Sequence, residues 1–330
     1  GGHDGNPYAD GKLYDPVANT WSPMGTVNEP QARNRQRNVW TGSEMFVWGG
    51  ELVNNINNNP NNGGLYSLAT NGWRALPAAP IAGRRDYNAF WTGTEVLVWG
   101  GVAAGVYQRA GALYNPVSTT WRSMSSFSAP SAREGAAAVW TGTELIVWGG
   151  FGGGWNTDGG RYDVASDTWI PFNTANFNQG IEGAAFWSGS KAYFLQGRNS
   201  SGYPNDGGNT SGFSFDPANN KFDYIPAAPI TQTWMPFTWT GTELLTFATF
   251  RDGNDRTVLS FKPESETWFY AKTTPPSDNW TIRATKDTPN APLPLVYDYS
   301  GTPHRSLWTG SKWLIWGGIA APYISPFIAL

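Results

Sequence analysis

The tripeptide Trp-Thr-Gly, or a close variant of it, recurs through this chain at intervals of about 50 residues. The six copies begin at Trp40, Trp91, Trp140, Trp187, Trp239 and Trp308. Each copy is followed by an apolar run, and four of these runs end in Trp-Gly-Gly, at Trp48, Trp99, Trp148 and Trp316. One such unit cannot bury its hydrophobic face alone, so neighbouring copies must pack against one another. The repeat therefore predicts one large repetitive fold for the chain.

A second motif alternates with the first and consists of an aromatic residue, a turn and an aromatic that opens another strand. Tyr114-Asn115-Pro116 leading to Trp121 is a clear example. Each period then reads as four short strands separated by turns rich in Gly, Asn, Asp and Pro. Four strands in each of six periods predict an all-β fold, a six-bladed β-propeller with four-stranded antiparallel blades.

The register of the repeats predicts how the ring closes. The N-terminal end supplies only the third and fourth strands of a blade, and the C-terminal end supplies only the first two. We expect one domain over residues 1–330, with a closing blade formed by about 1–24 together with 303–318. The last period is longer than the others because it carries a Pro-rich insertion at 273–302, and a tail follows at 319–330.

The apolar run, the Gly-Gly pair, the spaced aromatic and the spaced Trp resemble the kelch repeat in its bacterial-type form. The resemblance extends over nearly the whole chain. It implies a kelch-type propeller whose loops gather on one face around a central channel, which is the usual binding surface. Kelch relatives include galactose oxidase, which needs Cys and His for its copper site. This chain has no Cys and only two His, so that activity is excluded.

Composition restricts the partners. Charged residues make up 14% of the chain and the formal net charge is −3, so there is no basic surface for nucleic acid. No apolar run is long enough to span a membrane. The sequence motifs predict no metal and no cofactor. Few Lys and many Asn favour a secreted, cell-surface or periplasmic protein.

Most of the 19 Trp occupy repeat positions and are expected to pack within the fold. Three fall in loops or at blade entrances, where an aromatic side chain more often contacts a ligand. These candidate binding residues are Trp155, Trp234 and Trp280. Plain packing of the loops is the alternative for each of them.

Arginine recurs seven residues before the repeat Trp, as Arg33, Arg84 and Arg133. Neighbouring cations are Arg35, Arg37, Arg85, His304 and Arg305, and the acidic residues Asp86, Glu134 and Glu182 interrupt them. Arginine suits bidentate capture of a carboxylate, so Arg33, Arg84, Arg85, Arg133 and Arg305, with His304, Glu182 and Trp234, are predicted to bind an anionic ligand. The alternative is that the repeated Arg side chains bond neighbouring carbonyl groups.

Two functions from different classes follow. The first is a non-enzymatic module that recognises a protein or a glycan at the loop face. The second, by resemblance to the kelch-class sialate mutarotase, is a metal-free mutarotase or isomerase for an acidic sugar, with Glu182 as the acid-base group. A structural domain of a larger surface protein is a third possibility. Asn-rich loops such as 51–64 suit turns better than Ca²⁺ ligation, because no loop has regular ligand spacing.

Overall fold

The computed structural model describes residues 9, 11–15, 17–18, 20–52, 57–172, 184–195, 212–226, 237–249, 256–270, 305–308, 313–316 and 327–329. These residues form strands, turns and loops, and none of them lies in a helix. No apolar helix of membrane-crossing length is therefore found in this part of the chain. The chain divides into two compact units, Gly1–Gly183 with Gly197–Gly202, and Ala184–Gln196 with Tyr203–Leu330. The predicted insertion at 273–302 lies outside the described residues.

The N-terminal unit contains a hairpin and three four-stranded antiparallel sheets, each following chain order. The hairpin consists of β1 (Lys12–Asp15) and β2 (Thr20–Pro23). Sheet 1 consists of β3 (Arg37–Trp40), β4 (Glu44–Trp48), β5 (Gly63–Ser67) and β6 (Gly72–Ala75). Sheet 2 consists of β7 (Asn88–Trp91), β8 (Val96–Trp99), β11 (Gly111–Asn115) and β12 (Thr120–Ser123), with the small hairpin β9 (Val102–Ala103) and β10 (Val106–Tyr107) after β8. Sheet 3 consists of β13 (Ala137–Trp140), β14 (Glu144–Trp148), β15 (Gly159–Asp163) and β16 (Thr168–Pro171).

The C-terminal unit repeats the same antiparallel meander. Sheet 4 consists of β17 (Ala184–Trp187), β18 (Ala192–Leu195), β19 (Gly212–Asp216) and β20 (Lys221–Ile225). Sheet 5 consists of β21 (Phe237–Trp239), β22 (Leu244–Thr249), β23 (Arg256–Lys262) and β24 (Thr267–Tyr270). Sheet 6 has three strands, β25 (Arg305–Trp308), β26 (Trp313–Trp316) and β27 (Phe327–Ala329). The predicted all-β class and the four-stranded antiparallel sheets are confirmed, and the architecture is consistent with a β-propeller.

The Trp-Thr-Gly motif forms the turn between the first two strands of a sheet. In sheet 1 the Thr41 amide donates to the carbonyl of Glu44 at 2.9 Å, and the Thr41 hydroxyl accepts from the Glu44 amide at 3.1 Å. Gly42 has a φ of 95°, a left-handed conformation that residues with a Cβ adopt at a cost. The same turn recurs at Thr92, Thr141, Ser188 and Thr240. The motif therefore repeats because each turn needs both a hydroxyl and a glycine.

Aromatic side chains fill the space between successive sheets within each unit. Trp48 of sheet 1 is fully buried, and its ring centroid lies 5.7 Å from that of Trp121 of sheet 2. Trp99 and Trp169 are in the same relation, 5.3 Å apart, between sheets 2 and 3. In the C-terminal unit Tyr193 of sheet 4 lies 5.4 Å from Phe261 of sheet 5. The expected role of most repeat Trp residues as packing elements therefore holds at these positions.

The third strand of sheet 6 comes from the C-terminal segment. β26 pairs with β25 on one side and with β27 on the other, and β27 lies in the segment interpreted from the sequence as a tail. Among the described residues β1 pairs with β2 alone. A closing blade made from both chain ends is thus a prediction that these pairings do not establish.

Candidate ligand-binding face

The three repeated arginines of the N-terminal unit hold the ends of the strands together. Each lies at the end of its sheet where the first strand begins and the second runs into Gly-Gly, which we call the entry end. Arg84 donates from Nη1 to the carbonyls of Gly100 and Ala110, at 3.2 and 2.9 Å, and from Nε to the carbonyl of Ala82. Arg33 and Arg133 make the equivalent bonds, to Gly49 and Asn62 and to Gly149 and Asp158.

These guanidinium groups are almost fully enclosed. Arg33, Arg84 and Arg133 are 3%, 1% and 0% exposed. Burial lowers the pKa of Arg84 to about 10, because removing the cation from water disfavours its charged form. Their donors are used on backbone carbonyls at the strand ends, three of which, those of Asn62, Ala110 and Asp158, also accept from the amides of Gly49, Gly100 and Gly149. The geometry therefore favours the carbonyl-bonding alternative, and we do not propose these three side chains as ligand contacts.

The two residues after each repeated arginine have their own recurring structure. The first pairs with the residue that follows Gly-Gly, giving the isolated bridges Asn34 to Glu51, Arg85 to Val102 and Glu134 to Phe151. The second is left-handed in all three sheets, with φ values of 55° at Arg35, 53° at Asp86 and 63° at Gly135. The three sheet entries therefore share one backbone turn, which places their side chains in equivalent positions.

Five charged side chains from the three sheet entries meet at the entry end. They are Arg35, Glu51, Arg85, Asp86 and Glu134, which we call the entry cluster. Arg85 is at its centre: Nη1 lies 2.5 Å from Asp86 Oδ2 and 3.0 Å from Glu134 Oε2, while Nε lies 3.6 Å from Glu51 Oε2. Arg35 is paired with Asp86 and lies 3.8 Å from Glu51. Asp86 and Glu134, two of the acidic residues that interrupt the arginines in the sequence, are thus partners of Arg85.

Glu134 has a perturbed carboxyl group. Burial raises its pKa, the nearby Arg85 lowers it, and Asp86 raises it again, with the net direction upward from 4.5. A carboxyl group with a raised pKa beside a guanidinium in an accessible cluster is a frequent feature of sites that transfer or share protons. Glu182, the acid-base candidate from the sequence, lies outside the described residues.

Two atoms of the entry cluster, Glu51 Oε2 and Arg85 Nε, are buried and make no hydrogen bond, although they form an ion pair with each other at 3.6 Å. Asn34 Oδ1, beside the cluster, is also buried without a hydrogen bond. The Arg85 side chain is only 9% exposed, so its Nε cannot be paired by bulk water. Asn34 and Glu51 are directly opposite each other in their bridge, through backbone bonds of 3.1 and 2.9 Å. Buried orphaned groups of this kind need a water or a ligand to satisfy them.

An aromatic surface adjoins the cluster. Phe151, bridged to Glu134, packs edge-on against Trp155 at 5.3 Å and against Tyr107 at 5.8 Å. We call Tyr107, Phe151 and Trp155 the aromatic ledge. All three are half-buried, and Gly152, Gly153 and Gly154 beside them are exposed. The predicted site residues Arg85 and Trp155 are therefore on neighbouring parts of one face.

The other predicted site residues are not brought to this face by the described part of the chain. Glu182, Trp234, Trp280 and His304 lie outside it, and of Arg305 only the backbone is described, at the start of β25. In the sequence, Glu182 and Trp234 lie five residues before the repeat Trp, the same offset as Arg35 and Asp86.

Sequence reasoning missed Glu51, Tyr107 and Phe151 as members of this face. Glu51 and Phe151 each follow a Gly-Gly pair directly, so the position after Gly-Gly was the signal that could have found them. The side chain of Asn59 in the Asn-rich loop bonds backbone groups of neighbouring segments. It donates to the carbonyl of Gly50 at 2.9 Å and accepts from the Ala104 amide at 2.9 Å. Across the described ranges no three acidic or His side chains are placed to hold a metal ion.

Comparison with known proteins adds no family assignment. No model of a known protein family matches the chain, and no curated protein matches it.

Proposed function

We propose that this chain is a six-bladed kelch-type β-propeller, closed by strands from both ends, that serves as a non-enzymatic binding module of a secreted or periplasmic protein. Its ligand, a glycan or a protein segment, binds at the face formed by the entry cluster and the aromatic ledge. The repeated Trp-Thr-Gly and Trp-Gly-Gly motifs and the meander sheets support the fold. The proposed binding function depends only on the face formed by the entry cluster and the aromatic ledge.

One observation carries the proposal: the entry cluster and the aromatic ledge are connected through Glu134. Glu134 contacts Arg85 through its side chain and Phe151 through its backbone, so charged groups and half-exposed aromatic rings are presented side by side. Binding surfaces commonly combine aromatic area with a few oriented polar groups. The loops that carry the ledge are held at both ends, because Arg84 bonds Gly100 and Ala110 and Arg133 bonds Gly149 and Asp158.

Binding is tested with a glycan array and a random peptide array probed with the whole chain. Trp155→Ala is expected to weaken capture of the best array member at least tenfold. Trp40→Ala is the matched control, because Trp40 is also substantially exposed but lies at the Thr-Gly turn, at the opposite end of sheet 1. Failure of the unmodified chain to capture any glycan or peptide would refute the binding function.

A sugar mutarotase is a second candidate function, and the environment of Glu134 favours it. Opening a pyranose ring requires removal of a proton from the anomeric hydroxyl and delivery of a proton to the ring oxygen. A carboxyl group with a raised pKa, held beside Arg85, suits both transfers. The test is exchange between the anomers of N-acetylneuraminic acid, followed by NMR with and without the protein. Acceleration that Glu134→Gln removes supports the enzyme, and no acceleration eliminates it for that sugar.

A further inference from the structure

The hairpin of β1 and β2 packs against sheet 1 as β11 and β12 of sheet 2 pack against sheet 3. The two strand pairs have the same register, residue for residue. The Gly25 amide after β2 donates to Asn71 Oδ1 at 2.7 Å. In the same way, the Ser125 amide after β12 donates to Asp167 Oδ1 at 2.8 Å. The hairpin therefore corresponds to the third and fourth strands of a sheet, and the described residues give it no second strand.

A cavity lies between the hairpin and sheet 1. Its lining includes Gly11, Met24, Met45, Val47 and Trp73. In the corresponding place between sheets 2 and 3, the buried Trp99 at the end of a second strand packs on Trp169. Trp169 donates from Nε1 to the carbonyl of Ser125 at 3.0 Å, whereas Trp73 Nε1 is buried with no hydrogen-bond partner. The cavity therefore marks the position of a second-strand tryptophan that the hairpin lacks.

The first residue of the third strand must be small where it lies opposite that tryptophan. In sheets 1 and 3 this residue is Gly63 or Gly159, and a Cβ on either would clash with a carbonyl oxygen of the second strand. Gly11 has the same place in the hairpin. A Cβ on Gly11 would clash with Met24 Sδ, as a Cβ on Gly111 of sheet 2 would clash with the equivalent methionine.

β26 is a second strand whose partner departs from this pattern. It ends at Trp316 and is followed by Gly-Gly, and it pairs with β25 as the second strands of the other sheets pair with the first. Its other neighbour is β27, which places Phe327 opposite Trp316, where sheets 1 and 3 have a glycine. Because β25 takes one edge of β26, the other edge can hold only one further strand.

We propose that β1 and β27 are alternative third strands for β26. With β1 on β26, Gly11 lies opposite Trp316, the tryptophan fills the cavity beside Trp73, and the ring closes while residues 319–330 are released. With β27 on β26 the ring is open, and the edge of β1 is free to pair with another strand. The proposal rests on the closed propeller given above and makes its closure reversible, with the C-terminal segment as the competitor.

Disulfide trapping tests this exchange, because the chain has no Cys of its own. Ile315 is opposite Ile328 in the pairing of β26 with β27, and it is opposite Lys12 in the proposed pairing. A variant carrying Lys12→Cys, Ile315→Cys and Ile328→Cys is oxidised briefly, and its disulfides are mapped by mass spectrometry after proteolysis. Both the 12–315 and the 315–328 link are expected, each within one chain.

Two double variants and a truncation serve as controls. Val98→Cys with Ala112→Cys joins positions that are opposite each other in sheet 2, so this link should always form. Lys12→Cys with Leu314→Cys should not link, because a shift of one residue turns the side chains to opposite faces. Removal of residues 319–330 should raise the 12–315 link at least threefold, because it removes the competing strand, and should leave the 98–112 link unchanged.

A 315–328 link alone, or a 12–315 link that the truncation does not raise, overturns the exchange. Links between two chains overturn it too, because a second copy is then the strand donor. Absence of both links in a chain that forms the 98–112 link has the same meaning. Double variants at 12 and 315 and at 315 and 328 replace the triple variant if it does not fold. Capture on the glycan and peptide arrays is measured separately, so failure of the exchange leaves the binding function in place.

Discussion

Arg85 Nη1 lies 3.0 Å from Glu134 Oε2, although the two residues precede the first strands of different sheets. The contact ties the entries of sheets 2 and 3 together electrostatically. Arg85 is 8% exposed, so the pair is shielded from water more than an ordinary surface ion pair. The proposed ligand face is therefore made from adjacent sheets and depends on their mutual packing.

The raised pKa of Glu134 predicts a pH effect on stability. A carboxyl whose pKa is higher in the folded than in the unfolded chain stabilises the fold below the unfolded value, near 4.5, and this contribution is lost as the pH rises through the folded value. Glu134→Gln cannot titrate. The free energy of unfolding of the parent, minus that of Glu134→Gln, is therefore expected to fall as the pH rises from 4 towards neutrality.

Urea denaturation at several pH values measures this difference. Glu95→Gln serves as the control, because Glu95 also pairs with an arginine, Arg122, outside the entry cluster. A difference that grows with pH would mean that attraction to Arg85 and Arg35 outweighs the burial of Glu134.

Removal of a repeated arginine is predicted to destabilise the fold. Arg84→Gln loses bonds to the carbonyls of Ala82, Gly100 and Ala110, two of which join the second and third strands of sheet 2. The loss should be about 3 kcal/mol, since three hydrogen bonds from a buried charged donor are removed. Arg109→Gln is the control, because Arg109 is exposed in the same sheet's loop. Equal stability of the two variants in urea denaturation would contradict the structural role of Arg84.

The parts of the structure that depend on local backbone chemistry could be predicted from the sequence. The Thr-Gly turns, the Gly-Gly strand ends and the alternation of strands each rest on residues close together in the chain. The entry cluster could not be predicted in the same way. Arg85 and Glu134 are 49 residues apart, and their contact depends on how sheet 2 packs on sheet 3. Along the chain, Asp86 and Glu134 look like interruptions of a series of arginines. In the structure both residues pair with arginines, and the order of residues in the sequence does not show these contacts.

We predict that the second glycine of the Gly-Gly pair is needed for two reasons. Its backbone is left-handed, and the backbone of a neighbouring residue lies close to it. Gly50 has a φ of 86°, and a Cβ there would lie 2.5 Å from the carbonyl oxygen of Asn34. Gly42 has a similar φ of 95° with nothing within 4 Å of a Cβ. Gly42→Ala should therefore cost only the strain of the left-handed conformation, about 1–2 kcal/mol. Gly50→Ala should cost about 1–3 kcal/mol more, because the backbone of Asn34 must also move.

Thermal and urea unfolding measure the loss of stability in Gly42→Ala and in Gly50→Ala. Both variants carry the strain of the left-handed conformation, so the difference between their losses reports the close approach of Asn34 to Gly50. Equal losses of stability would show that the approach of Asn34 to Gly50 relaxes without cost.

Tyr87 is predicted to stabilise the contact between sheets 1 and 2 through its hydroxyl group. The hydroxyl donates to the carbonyl of Trp48 at 2.5 Å and accepts from the amide of Arg37 at 3.1 Å. Tyr87→Phe leaves both partners unpaired in a buried position and should cost about 1–3 kcal/mol. Burial raises the pKa of Tyr87 to about 12, so the parent's advantage should be constant up to pH 10 and fall between 10 and 12. Tyr107→Phe, on the aromatic ledge, is the control and should unfold like the parent. Unfolding of Tyr87→Phe at the parent's urea midpoint would show that the hydroxyl contributes nothing to the packing of the two sheets.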